Sequence, residues 1–209
     1  MLLIQKINAV SAWRETFLKL FYEGEETDNS FYFRDELVVI ELEHPSIEPS
    51  DARFPMPQEE LDVINRFIVS GDDEESVSHE WTKLYFHRMF DEPHSQVRYI
   101  IERLKDGELE RPALMSLWDK TIDQDQIVSP CTLVIWARKK HEKLELHVHA
   151  HSSDAYKKLL MNLQEFVALH CHLAELSQLA VGRYYHVIDS CHIHHADLQN
   201  ATNLAAQLV

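Results

Sequence analysis

Residues 131 to 154 read CTLVIWARKKHEKLELHVHAHSSD. Two runs, CTLVIWAR and LELHVHAH, alternate between apolar and polar residues around a charged connection, KKHEK. A period of two sends successive side chains to opposite faces of a strand. Two such runs joined by a short polar connection predict an antiparallel hairpin. A chain that contains this unit has to be built around a sheet. Three histidines, His147, His149 and His151, fall on one face of the second strand.

Helical signals flank the hairpin. Ser11 reads as the N-cap of a helix through about Tyr22, with Trp13, Phe17, Leu18 and Phe21 on one face. ELVVIELE, 36 to 43, is rich in β-branched residues and predicts a strand. The proline-punctuated HPSIEPSDARFPMP leads to a helix from about Gln58 to Val69, ended near Gly71. Further helices are expected over 79–90 and 95–105, and PALMSLW reads as a strand. After the hairpin, SSD is placed as the cap of a long helix from about Asp154 to Leu176, followed by a strand in RYYHVIDSCHIH and a last helix from about Ala196. Helices and strands are mixed, with no internal repeat and no low-complexity linker. The fold class is α+β or α/β, in one domain over 1–209.

Composition narrows the function. The formal charge of −15 argues against binding a nucleic acid through its backbone, which needs a cationic footprint. A small anionic substrate remains open, given a local cationic pocket. No apolar run reaches membrane-spanning length, and MLLIQKINAVSAW carries no recognisable signal peptide. Three unpaired cysteines, Cys131, Cys171 and Cys191, suit a reducing, cytoplasmic setting. With only four glycines, Gly-loop nucleotide folds are not expected.

Two chemistries compete for the polar residues. His147, His149 and His151 with His192, His194 or His195 are candidate metal ligands, but no supporting carboxylate pattern stands near them except Asp154; an ordinary strand face is the plainer reading. Cys131, after Pro130 at a strand start, is a candidate nucleophile, against the plainer reading of an inert thiol. Ser152 and Ser153 are expected at a helix N-terminus, where free backbone N–H groups hold anions or are simply capped. Asn162 shares a helix face with Leu159 and Phe166; an inward amide either bonds structurally or reads a pyrimidine edge.

Taken together, SLWDKTIDQDQIVSPC, HSSDAYKKLLMN and DSCHIH resemble the thymidylate synthase family, whose pattern runs Trp-Asn/Asp…Pro-Cys, Arg-Ser-x-Asp…Asn and His-x-Tyr. Trp118, Pro130, Cys131, Ser152, Asp154, Asn162 and His192 fall on that pattern without a gap; residues 1–32 match little. The resemblance implies a large mixed sheet flanked by helices, with two sheets stacked in a homodimer. It implies that Cys131 adds to C6 of a dUMP-like pyrimidine nucleotide, and that 5,10-methylenetetrahydrofolate supplies a one-carbon unit to C5. Asn162 would read the base, His192 and His194 the sugar, and Ser152, His151 and Arg111 the phosphate. Asp154 would lie by the pterin, Tyr85 by the proton-transfer network, and Glu60 in the place of the catalytic glutamate. No metal is implied.

The departures are specific. His151 stands where the family has arginine, Pro112 replaces the second arginine of a pair, Thr132 replaces a histidine, His194 a tyrosine and Lys158 a glycine. Glu59 and Glu60 are out of register with Gly71. Arginine grips phosphate in a bidentate, permanently charged manner that histidine does not. Methyl transfer, hydroxymethyl transfer and a binding role without turnover therefore all stand as expectations.

Overall fold

The computed structural model describes residues 1–28, 30–106 and 113–209. Its elements are β1 (Leu2–Lys6), α1 (Ala9–Glu23), β2 (Glu25–Glu26), β3 (Tyr32–Leu42), α2 (Gln58–Ser70), α3 (Glu80–Phe90), α4 (Gln96–Asp106), β4 (Leu114–Ser116), β5 (Thr132–Lys140), β6 (Lys143–Asp154), α5 (Leu159–Leu176), β7 (Ala180–His194) and α6 (Leu198–Leu208). The strands form a mixed sheet in the order β1-β3-β7-β6-β5-β4, with β2 pairing the start of β3. The fold is α+β, a large mixed sheet flanked by helices.

The hairpin forms as the alternation predicts. β5 and β6 pair antiparallel from Lys140↔Lys143 to Thr132↔Ala150. The turn is made by His141 and Glu142, both with positive φ (51° and 58°), which matches the twist of the flanking strands. β6 then pairs parallel with β7. Parallel neighbours need a crossover, and α5 supplies it. Leu144, Leu146, Val148 and Ala150 of β6 and Tyr184 and Ile188 of β7 are buried beneath α5. The alternate positions form the opposite face of the sheet, where His147 stacks on Tyr185 (centroids 4.6 Å apart) and lies 4.9 Å from Trp136.

Several boundaries differ from expectation; β3, for one, begins at Tyr32 rather than Glu36. β1 pairs parallel with β3 through Leu2↔Val38 to Lys6↔Leu42; five residues of LLIQK are too short a run to announce a strand. The cap of α1 is Asn8, whose Oδ1 accepts from Ser11 N–H at 3.0 Å, so Ser11 is the capped residue. β6 runs on to Asp154, held by Ser152↔Ser190, Ser153↔Cys191 and Asp154↔His192 pairing with β7, and α5 begins only at Leu159. Ser152 and Ser153 therefore lie in the sheet rather than at a helix N-terminus. The last helix starts at Leu198, after a 3-10 turn over His195–Asp197. Among the described residues no helix is long and apolar enough to cross a membrane.

Candidate active site

The ends of four strands meet the start of α5 and one side of α3. β6 delivers Ser152, Ser153 and Asp154 beside the end of β7, because their register sets Asp154 against His192. β3 enters antiparallel to β7, with Tyr32 opposite His194. β5 starts one residue after Cys131, and the Cys131 carbonyl accepts from His151 N–H at 2.9 Å. Trp13 Nε1–H donates to the Ala155 carbonyl at 3.0 Å and pins the turn between β6 and α5. The segment before Cys131 is held by Arg88, which grips Asp123 with two bonds of 2.6 and 2.8 Å.

These elements enclose a cavity of about 380 Å³. Cys131, Ser152, Asp154 and Asn162 line it, together with Tyr85, His192 and His194. Cys131 is half-buried, and the Ser152 hydroxyl donates to its sulfur at 3.4 Å. Asn162 Nδ2 donates to Ser153 Oγ at 3.2 Å, which orients the amide. His192 is 5% exposed and stacked on Tyr32 with ring centroids 4.1 Å apart. Its Nδ1 donates to the Ser190 carbonyl at 3.1 Å, so its Nε2 is the acceptor. Burial, and then the neighbouring His194, hold His192 below the usual histidine range, so it acts as a neutral ring. Tyr85 accepts from Thr132 N–H at 3.0 Å and is pushed upward by burial.

Asp154 divides its work. Oδ1 accepts from Tyr156 N–H (2.9 Å) and Lys157 N–H (3.0 Å), closing the turn before α5, while Oδ2 lies 3.9 Å from His194 Nε2. The turn bonds fix the carboxylate at the cavity wall, with its second oxygen toward His194.

Other expected residues lie elsewhere. Glu60 is not on the cavity wall; it accepts from the Ser78 hydroxyl at the protein surface. His151 is also off the wall, with its Nε2 buried and without a hydrogen-bond partner among the described residues. The alternation of β6 turns it away from Ser152. Arg111 and Pro112 fall outside the described residues. His147, His149 and His151 do not converge: His147 stacks with aromatic rings, and His149 pairs with Asp189 at 3.0 Å. Among the described residues no three His, Cys, Asp or Glu side chains are grouped to hold a metal ion.

The structure adds residues the motifs did not single out for the site. Tyr32, His79, Trp81 and Lys158 also line the cavity. Lys158 was legible only as a departure from a family glycine. His79 and Trp81 reach the wall because α3 packs against α5 and α2, which no local pattern encodes.

Comparison with known proteins bears on the family and the fold. Residues 59–208 match the family model described as thymidylate synthase. A protein of Methanocaldococcus jannaschii named "Putative thymidylate synthase" is 25% identical over 202 residues, covering 93% of this chain and 91% of that protein. The thymidylate synthase of Bacillus atrophaeus is 27% identical over 105 residues, 50% of this chain and 46% of that enzyme. The chain thus spans under half the length of that bacterial relative. The solved structure of thermostable thymidylate synthase A from Bacillus subtilis superposes with a TM-score of 0.72 at 15% identity, over 95% of this chain and 84% of that one. At that identity the likeness is one of fold.

Proposed function

The chain belongs to the thymidylate synthase family, and we propose that it transfers a one-carbon unit to C5 of a dUMP-like pyrimidine nucleotide. The observation that carries this reading is a shared wall: the Cys131 thiol opens onto the same cavity as Asn162 and His192.

The chemistry follows from those groups. The Cys131 thiolate adds to C6, and the electron pair of the C5–C6 double bond moves onto C5 and O4, making C5 a nucleophile. Asn162 offers a donor and an acceptor to O4 and N3–H of a uracil-type edge. His192 Nε2 accepts from a sugar hydroxyl. Ser152 holds the sulfur, and Lys158 puts positive charge on the wall, with Arg111 as the further phosphate ligand implied by the family pattern. Once C5 has lost its proton, the thiolate leaves and the double bond is restored. When bound, 5,10-methylenetetrahydrofolate supplies the one-carbon unit, with a hydride if the product is methyl. Trp81, a flat apolar wall, and the Asp154 Oδ2 left over from the turn are groups that would hold a pterin and its N–H donors. The reading includes a homodimer formed through the outer sheet face.

The test is release of tritium from C5 of labelled dUMP and dCMP, with and without the folate. Release that needs Cys131, and is lost in Cys131→Ser, is expected; no release from any pyrimidine nucleotide at millimolar substrate would overturn the proposal. The absence of Glu60 and His151 from the wall favours a second reading, a nucleotide-binding relative without turnover. A 5-fluoropyrimidine nucleotide separates the two: covalent labelling at Cys131 supports the transferase, and reversible binding without labelling supports the second.

A further inference from the structure

One wall of the cavity is not used by the thiol, the amide or the sugar-facing histidine. His79 lines it, and His79 Nδ1 lies 3.1 Å from Thr82 Oγ1. The Thr82 hydroxyl in turn donates to Glu165 Oε2 at 2.6 Å. Thr82 and Glu165 are both 0% exposed. The other oxygen, Glu165 Oε1, is buried and has no hydrogen-bond partner among the described residues. A continuous hydrogen-bonded path therefore runs from a sequestered carboxyl to a ring on the cavity surface.

A buried carboxyl that merely ties α5 to α3 would account for the Thr82 bond alone. It would not account for an orphan oxygen in an apolar interior, which is costly for an ionised group. Nor would it explain why the path ends on a ring at the cavity. Burial pushes Glu165 up to about 8, against the lowering effects of the Thr82 bond and of Lys158. Burial, and then the Lys158 charge, hold His79 down at about 4, so the ring is neutral near pH 7. The groups facing Glu165 are Lys158 at the start of its own helix, Tyr85 from α3, and Tyr184 from β7. Tyr184 bonds the neutral ring of His186, and α2 presents only the Asn65 amide, to Gln164. Lys158 is the one cation among these groups, and it acts at a distance: no donor among the described residues bonds Glu165 Oε1.

We infer that Glu165, Thr82 and His79 form a proton relay, in which His79 meets the substrate and Glu165 stores the proton. In one state Glu165 is ionised, Thr82 donates to it, His79 Nδ1–H donates to Thr82, and Nε2 presents a lone pair to the cavity. In the other state Glu165–OH donates to Thr82, Thr82 donates to Nδ1, and the ring carries its proton on Nε2. Passing from the first to the second takes one proton from the cavity side. That proton binds Nε2, the Nδ1 proton moves to Thr82 Oγ1, and the Thr82 proton moves to Glu165 Oε2. No imidazolium accumulates, and the electron pair of the broken C–H bond stays on the substrate. Applied to loss of the C5 proton, this step rests on the proposed transfer reaction; the relay itself does not. Glu165 acts through His79 and is a positioning residue, not a group that touches substrate.

The experiment follows the His79 ring nitrogens by 15N NMR in the full chain between about pH 5 and 10. The expected result is a change from the Nε2–H to the Nδ1–H tautomer as pH rises, with a midpoint near the Glu165 value of about 8. Glu165→Gln should abolish the midpoint, and Thr82→Val should uncouple the ring while leaving Glu165 to titrate. With C5 tritium release as a second readout, Glu165→Gln should lower kcat by about 10²-fold, with KM little changed and the matching inflection gone from the kcat profile. A His79 tautomer that does not change in the wild-type chain, or a midpoint that survives in Glu165→Gln, overturns the relay. If Glu165→Gln fails to fold, the wild-type titration and Thr82→Val decide. A titrating His79 in a protein that releases no tritium leaves the relay standing and removes the transfer reaction.

Discussion

Lys158 is the one lysine or arginine on the cavity wall among the described residues, in a chain of formal charge −15. It has no ion-pair partner there either, unlike its neighbour Lys157, which pairs with Asp197 at 2.6 Å. A partly buried, uncommitted ammonium suits an anionic group on the ligand. A charged hydrogen bond of this kind contributes about 1.5–3 kcal/mol, so Lys158→Met is expected to raise KM for a nucleoside monophosphate by roughly 10- to 100-fold while leaving the unphosphorylated nucleoside nearly unaffected. Equal losses for both substrates would show that Lys158 does not face the phosphate. At this scale, Cys131, Asn162 and His192 were legible because each falls on the family pattern that the sequence resembles. Glu165 was within reach, since it lies one turn beyond Asn162 on a helix that reads LLMNLQEFVALHCHLAEL, but a carboxyl in an apolar run reports its burial only once the neighbouring helices are known.

Elements were read best where local chemistry closes them. α2 ends as expected because Gly71 adopts φ 73°, a left-handed conformation that favours glycine. A Cβ there would lie 2.5 Å from Phe86 Cζ, and Phe86 is itself packed between Phe67 and Phe90. Gly71→Ala thus combines backbone strain with a steric clash. It is expected to cost about 1–3 kcal/mol, seen as a lower urea midpoint with an unchanged slope; an unchanged midpoint would mean that Phe86 moves aside freely. The start of α5 was misplaced for the opposite reason. Ser152, Ser153 and Asp154 have the composition of a cap, and Asp154 does cap a turn. Pairing with β7 nevertheless holds all three in the sheet, and that pairing spans some forty residues of intervening chain.

At the scale of the molecule, the helices described above bury one face of the central strands, and the aromatic and histidine side chains of Trp136, His147 and Tyr185 occupy the other. Val187 sits half-buried beside them, paired in register with His149. The proposed homodimer would cover this face, and Val187→Asp, by placing a charge within it, is expected to shift sedimentation from dimer to monomer with the circular dichroism retained. A wild-type chain that sediments as a monomer at micromolar concentration would remove that part of the proposal. The cavity itself belongs to this scale as well, for its walls run from Tyr32 through Tyr85 and Cys131 to His194. Residues that distant along the backbone become neighbours only after the last strand has slotted in. A proteolytic fragment or a half-translated chain would retain no partial version of the pocket, and ligand recognition should therefore come and go all at once with completion of the fold.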